Sequence, residues 1–418
     1  MAQGKFDIYV YADWKGLRGA VQIGILSAHF AKAKKAFSFE YTKDWLSRES
    51  YRLIDPDIAF YSGPQYAADK ENFGIFLDSM PDTWGKTLMK RREAQDARTR
   101  GEKAKTLYEI DYLLGVYDKS RMGALRFKTD PNGPFLDNDD QNPTPPWSSL
   151  GDLQEAVNHL ENDTQDDTIR QWIAVLIAPG SSLGGARPKA NILGKDKNLW
   201  IAKFPSKTDT VDNAAWEFLT YKLATASGIP MADSRIERIS GSYHTFITKR
   251  FDREKDSRIH FASAMTMTGN TEESLKTSTA SYLDIVDVIE NFGANVDKDL
   301  QQLWRRIVFN ISVSNTDDHL RNHGFLLTEK GWKLSPAYDL NPSIDKNGLA
   351  LNIDMDDNAL NFELAMSVGG FFRLSESEMD NIIKEVLSVV RGWKSAAKQI
   401  GISNREQLLM ESAFNTDY

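Results

Sequence analysis

Leu300, Leu303, Trp304, Ile307, Val308 and Ile311 recur at the spacing of one helical face, and the polar run Asn315-Thr316-Asp317-Asp318-His319-Leu320-Arg321-Asn322 follows at once. This juxtaposition constrains the chain more than any other feature. A buried amphipathic helix over residues 298–314 must end where the apolar period stops, and so delivers residues 315–322 as a loop. Phe325-Leu326-Leu327 and Trp332-Lys333-Leu334 then flank Glu329-Lys330-Gly331, which predicts a β-hairpin. A hairpin returns the chain to its start, so Asp339 is expected beside Asn322.

That order collects two carboxylates and an amide oxygen in one place. Phosphoryl transfer from ATP uses such a kit: one carboxylate orients or deprotonates the attacking hydroxyl, while an amide oxygen and a second carboxylate hold Mg²⁺ against the phosphates. Asp317 is the candidate base, and Asn322 and Asp339 are the candidate metal ligands. Two carboxylates about 6 Å apart, at an effective dielectric of about 20, repel by roughly 3 kcal/mol, which a divalent cation would offset. Protein kinases space their catalytic-loop Asp and Asn in the same Asp-x4-Asn pattern. Loops use Asp and Asn for capping and turns as well. It is the sequence of helix, Asp-x4-Asn, hairpin and Asp that favours chemistry.

A chain of 418 residues is too long for one simple core, so two or three domains are expected. The absence of cysteine excludes disulfides, zinc thiolates and a thiol nucleophile, and fits a reducing, cytoplasmic setting. Met1-Ala2-Gln3-Gly4-Lys5 lacks an apolar signal core and no apolar run reaches membrane-spanning length, so no membrane role is expected. A net charge of −8 argues against the chain coating DNA by itself. Lys86, Lys90, Arg91, Arg92, Arg98, Arg100, Lys103 and Lys105 form a basic stretch, but Glu93, Asp96 and Glu102 interrupt it, which favours a solvated helix face.

The first part reads as β-rich, with strands near 6–11, 20–26 and 37–41. Five prolines between 131 and 146 mark a loop or linker, and hence a boundary near 147. Helices are expected over 149–161, 166–178 and 214–227, with strands over 199–204 and 243–251. Helices dominate from about 263, including 379–393. The fold class is therefore α+β: a bilobed, kinase-like arrangement of an α/β lobe (148–262) and an all-helical lobe (263–418), with an extra β-rich subdomain over 1–147.

Other residues fit the same chemistry. The run Gly180-Ser181-Ser182-Leu183-Gly184-Gly185-Ala186 could cradle phosphates on backbone N–H groups, although a glycine-rich turn is the plain alternative. Arg187 and Lys189 could assist it, but exposed basic residues near a turn need no function. Lys203 shares an apolar strand face with Leu199 and Ile201, which calls for an anionic partner unless it snorkels off an edge strand; Glu217 is the nearest candidate. Backbone groups of Lys249-Arg250-Phe251-Asp252 could pair with adenine, with Phe251 packing near the base. His319 could touch phosphate or brace its loop.

These motifs together resemble the HipA-like serine/threonine kinases, the toxins of bacterial toxin–antitoxin pairs. The resemblance spans nearly the whole chain: Asp78-Ser79-Met80-Pro81-Asp82-Thr83-Trp84-Gly85, Tyr112-Leu113-Leu114-Gly115-Val116, Arg121-Met122-Gly123-Ala124-Leu125-Arg126-Phe127, Ser182-Leu183-Gly184-Gly185-Ala186-Arg187-Pro188-Lys189, Trp200-Ile201-Ala202-Lys203-Phe204, the 315–324 loop and Ser335-Pro336-Ala337-Tyr338-Asp339. It implies Asp317 as catalytic base, Asn322 and Asp339 as Mg²⁺ ligands, and Lys203, His319 and Tyr338 as ATP contacts. Ser182, Leu183, Gly184 and Gly185 would form the phosphate loop, and Lys249, Phe251 and Asp252 would lie near adenine and ribose. Ser182 matches a serine that such kinases autophosphorylate to switch themselves off, with Ser181 adjacent. The implied partners are a HipB-like helix-turn-helix antitoxin, operator DNA through that complex, and a translation-related substrate with an aminoacyl-tRNA synthetase as first candidate. Two departures stand out: Lys249 replaces a frequent acidic residue, and Asp318 adds a charge beside the base. A small-molecule phosphotransferase and a silent co-repressor module are the alternatives.

Overall fold

The structure, a computed structural model, describes residues 4–30, 35–48, 53–67, 70, 72–138, 144–162, 176, 185, 187–255 and 257–418. The helix expected over 166–178, apart from Leu176, and residues 180–184 of the glycine-rich run, Ser182, Leu183 and Gly184 among them, lie outside the described residues. The chain divides into two compact units, Met1–Lys207 with Arg250–Ala262, and Thr208–Lys249 with Ser263–Tyr418. These lines differ from the three segments expected from the sequence. The cause is visible in Arg250–Ala262: Asp252 accepts the Gly123 N–H at 2.8 Å and Arg258 donates to Asp118 at 3.1 Å, which joins this stretch to the first unit.

In the first unit, strands β1 (Gly4–Ala12), β2 (Val21–Phe30), β3 (Lys35–Tyr41), β4 (Gln65–Tyr66) and β5 (Leu125–Lys128) form one antiparallel sheet in the order β4-β3-β2-β1-β5. The period of two buries Ile8, Val10 and Ala12 on one face. Phe39 and Phe127 of that sheet each pack on Phe76, with ring centroids 5.6 and 6.1 Å away. Gly24 makes this possible, since a Cβ there would lie 2.3 Å from Phe39 Cζ.

The helix Thr83–Arg100 begins where Asp82 accepts the Gly85 N–H at 2.7 Å and stops at Gly101, whose φ of 68° is left-handed. Two of its arginines pair with the acidic interruptions: Arg92 with Asp96, Arg100 with Glu93 and Glu102. Further along, helix Leu150–Glu161 precedes an antiparallel pair, β6 (Lys189–Leu193) and β7 (Leu199–Lys203).

The second unit opens with helix Asn213–Ala226, followed by the antiparallel pair β8 (Ser234–Glu237) and β9 (Thr245–Lys249). Its core is the helix Val296–Ser312, which buries Leu300, Leu303, Trp304, Ile307, Val308 and Ile311 as their spacing predicts. Trp304 is anchored by a 3.0 Å bond from Nε1 to the Ala365 carbonyl. The predicted hairpin is present as Gly324–Thr328 paired with Gly331–Leu334. Segment 263–418 is thus not all-helical, and the fold is mixed α/β. Helix Glu376–Val390, capped by the Ser375–Glu378 box, also ends before Trp393, which starts the next helix after Gly392. Among the described residues no helix is long and apolar enough to cross a membrane.

Candidate active site

The helix Val296–Ser312 ends at Val313, and Ser314 takes a left-handed backbone (φ 47°) that turns the chain into the 315–322 loop. The two aspartates at its centre go opposite ways. Asp317 points outward, its side chain 77% exposed, with Lys346 Nζ 3.8 Å from Oδ1. Asn322 is buried, and its Nδ2 donates to the Asp317 carbonyl at 3.0 Å. That bond fixes which way the amide points and leaves Oδ1 as the available hard oxygen. Tyr338 reaches the same loop, its hydroxyl donating to the Arg321 carbonyl at 2.7 Å. Asp339 follows in left-handed backbone (φ 59°), a conformation that Asp adopts more readily than most non-glycine residues, and Asn341 Nδ2 lies 3.4 Å from its Oδ1.

Asp318 corrects an expectation. Its charge does not face solvent with Asp317: it is 1% exposed and points into the unit. One oxygen, Oδ2, accepts from the Tyr282 hydroxyl at 2.5 Å, Asn310 Nδ2 at 2.8 Å and His323 Nε2 at 2.8 Å. Burial works to raise its pKa, but the charge and hydrogen bond of His323 and the Tyr282 hydroxyl together hold it below the ordinary carboxylate range. Asp318 therefore braces the loop from behind. His319 is half-buried with Nδ1 shut off from water.

The residues present suit Mg²⁺. Among the described residues no three His, Cys, Asp or Glu side chains gather as an all-protein metal cage. Asn322 Oδ1 and the Asp339 carboxylate are hard oxygens of the kind that Mg²⁺ takes alongside phosphates and water.

In the first unit, Gly185 is exposed with φ 98°, and its carbonyl accepts the Trp84 N–H at 3.4 Å. Lys189 corrects a second expectation. Far from being an exposed residue after a turn, it is 2% exposed and its Nζ lies 3.0 Å from Asp82 Oδ2. Trp84 Nε1 donates to the Lys189 carbonyl at 3.2 Å, so the Pro81-Asp82-Thr83-Trp84 motif grips both ends of the stretch 185–189. Burial raises the Asp82 carboxyl even against Lys189. Sequence reasoning missed this pair because its members lie in separate motifs. The available signal was that Lys189-Ala190-Asn191-Ile192 reads as a buried strand.

Lys203 ends β7 half-buried, opposite Lys189 in the strand register. Lys203 shares the face of Leu199 and the buried Ile201, and Trp200 and Ala202 are buried on the other face as well. In the second unit, the Lys249 N–H already donates to the Asp233 carbonyl at 2.8 Å. Phe251, in the first unit, packs 6.0 Å from Phe261. Asp252 is wholly buried: Arg250 Nη2 and Arg253 Nη1 each lie 2.6 Å from its Oδ2, which also accepts the Gly123 N–H. These bonds fasten the strand end.

Known proteins resemble the chain as follows. The profile of the family described as HipA-like C-terminal domain matches residues 181–393. A protein named serine/threonine-protein kinase toxin HipA, from Shewanella oneidensis, is 24% identical over 391 residues, 84% of this chain and 82% of that one. Y4mE of Sinorhizobium fredii is 26% identical over 211 residues, but the match spans 48% of this chain and only 43% of that protein. Among solved structures, the complex of HipA, HipB and operator DNA from Shewanella oneidensis MR-1 contains a chain that matches with a TM-score of 0.65 at 19% identity, covering 97% of this chain and 94% of that one. The two share a fold.

Proposed function

This chain belongs to the family of HipA-like C-terminal domain proteins, and on that premise we propose that it is an ATP- and Mg²⁺-dependent protein serine/threonine kinase with a bilobed kinase-like fold. The observation that carries the reading is the divided pair Asp317–Asp318: one carboxylate faces solvent while its neighbour is buried as a brace. A loop that needed only a turn would gain nothing from burying one of them against three donors.

In the proposed reaction a serine or threonine hydroxyl oxygen attacks the γ-phosphorus of ATP. Its proton passes to the Asp317 carboxylate, and the bond from γ-phosphorus to the bridging oxygen breaks to release ADP. Asn322 Oδ1 and Asp339 would hold Mg²⁺, which when bound neutralises charge on the phosphate oxygens. Lys203, His319, Tyr338 and the 182–185 loop are the proposed phosphate-side contacts, with Phe251 and the backbone at Lys249 on the adenine side.

We further infer a toxin of a HipA/HipB-like pair, acting in the cytoplasm on a translation-related protein, with an aminoacyl-tRNA synthetase as the first substrate to try. The partner is a helix-turn-helix antitoxin, and operator DNA is reached through it; a chain of net charge −8 needs a basic partner for that. Phosphorylation of Ser182 would switch the enzyme off, since a group of nearly two negative charges competes with ATP phosphates.

The test is intact mass after phosphatase treatment and then incubation with Mg²⁺ and ATP. The wild-type chain should gain phosphate at Ser182, and Asp317→Ala should slow the gain by roughly 10²–10⁴ while still binding ATP. Undiminished phosphorylation in Asp317→Ala would overturn the role of Asp317.

A further inference from the structure

Asn310 lies fully buried in the helix Val296–Ser312 with both ends of its amide engaged. Nδ2 donates to Asp318 Oδ2 at 2.8 Å and to the Tyr282 hydroxyl at 3.2 Å, and Oδ1 accepts from Asn315 Nδ2 at 3.0 Å. Asn315, also buried, uses its own oxygen to accept the Asn341 N–H at 3.3 Å. Asn341 in turn directs Nδ2 to Asp339 Oδ1 at 3.4 Å. Three amides thus run from the carboxylate next to Asp317 to the proposed metal-binding carboxylate.

The chain has a direction. An amide nitrogen only donates and an amide oxygen only accepts, so turning over the Asn310 or Asn315 amide breaks its bonds on both sides. A buried amide without partners is unfavourable, which makes partial disruption costly. Arg306, one turn earlier on the same helix, donates from Nη2 to the Ser335 carbonyl at 2.5 Å. One buried helix face therefore holds both the catalytic loop and the approach to Asp339. The two longest links lie nearest Asp339, so that end is the compliant one.

We propose that Asn310, Asn315 and Asn341 are positioning residues that couple Mg²⁺ binding at Asp339 to the placement of the Asp317 loop, an inference that rests on the kinase reading above. Two substitutions cut different links. Asn315→Asp keeps the acceptor for Asn341 but replaces the donor to Asn310. Asn341→Ala removes the contact to Asp339 and keeps the backbone N–H to Asn315; Asn341 is only half-buried, so this variant should fold even where Asn315→Asp does not.

Each variant would be compared with wild type by thermal melting with ATP across a Mg²⁺ titration, and by ATP binding in EDTA. Both should need roughly tenfold more Mg²⁺ for half-maximal stabilisation, the lower end of what residues behind a metal ligand usually contribute, with metal-free ATP binding unchanged. The same Mg²⁺ midpoint as wild type in whichever variants fold would overturn the coupling. A wild-type chain that ATP and Mg²⁺ fail to stabilise would overturn the nucleotide reading, and this inference with it.

Discussion

Asp252 in the first unit and Asp318 in the second are each a carboxylate closed off from water, one following Phe251 and the other following Asp317, yet they are held by opposite means. Around Asp252 stand two guanidiniums, Arg250 and Arg253, and the Gly123 N–H. Burial opposes its charge, but Arg250 and Arg253 outweigh that and bring its pKa down to about 2. Around Asp318 stand a phenol, an amide and an imidazole. Guanidiniums keep their charge at any working pH, so the first arrangement is fixed by ion pairing. The second combines the charge and hydrogen bond of His323 with the aimed neutral donors Tyr282 and Asn310, so more of it rests on geometry.

Removing the carboxylate should therefore do most harm in the first unit. Asp252→Ala leaves two buried guanidiniums facing each other and should cost about 3–5 kcal/mol in urea unfolding at pH 7. A loss near zero would break the contrast. Acid sharpens it. Because the folded pKa of about 2 lies below the ordinary aspartate value of 3.8, the Asp252 contribution is complete above about pH 4 and fades as pH falls towards 2. The gap between wild type and variant should close over that window.

Asp318→Asn keeps the shape but weakens the acceptor for three donors. It should cost about 1–3 kcal/mol, with a fall in phosphorylation rate because the loop bearing Asp317 loses its brace. Full activity in a folded Asp318→Asn protein would show that the bracing has no bearing on chemistry. Tyr282→Phe removes a single donor, and about 0.5–1.5 kcal/mol in the same unfolding assay is the smallest effect of the series.

Period and turn chemistry made the scaffold of the second unit legible. The stripe from Leu300 to Ile311 is the buried face of Val296–Ser312, and Glu329-Lys330-Gly331 marks the hairpin reversal. What sequence could not convey was orientation within the loop. Asp317 and Asp318 are chemically identical neighbours, and the positions of Tyr282, Asn310 and His323 decide which one turns inward. The same limit hid Asp82–Lys189, whose pairing depends on a sheet and a helix being brought together. Alternation put Lys203 on one face with Leu199 and Ile201, but could not show that Trp200 and Ala202 are buried on the other.

The first unit is interrupted in sequence, since Arg250–Ala262 completes it after the chain has passed through 208–249. Order of synthesis follows from this. As the chain emerges from the ribosome, Gly123 and Asp118 are made long before Asp252 and Arg258, and the struts they share can close only once residue 262 is out. A fragment cut at 147 or 207 would carry the five-stranded sheet without its fastening. The shortest fragment holding every piece of that unit runs to Ala262, and it must carry the second unit's first helix along with it.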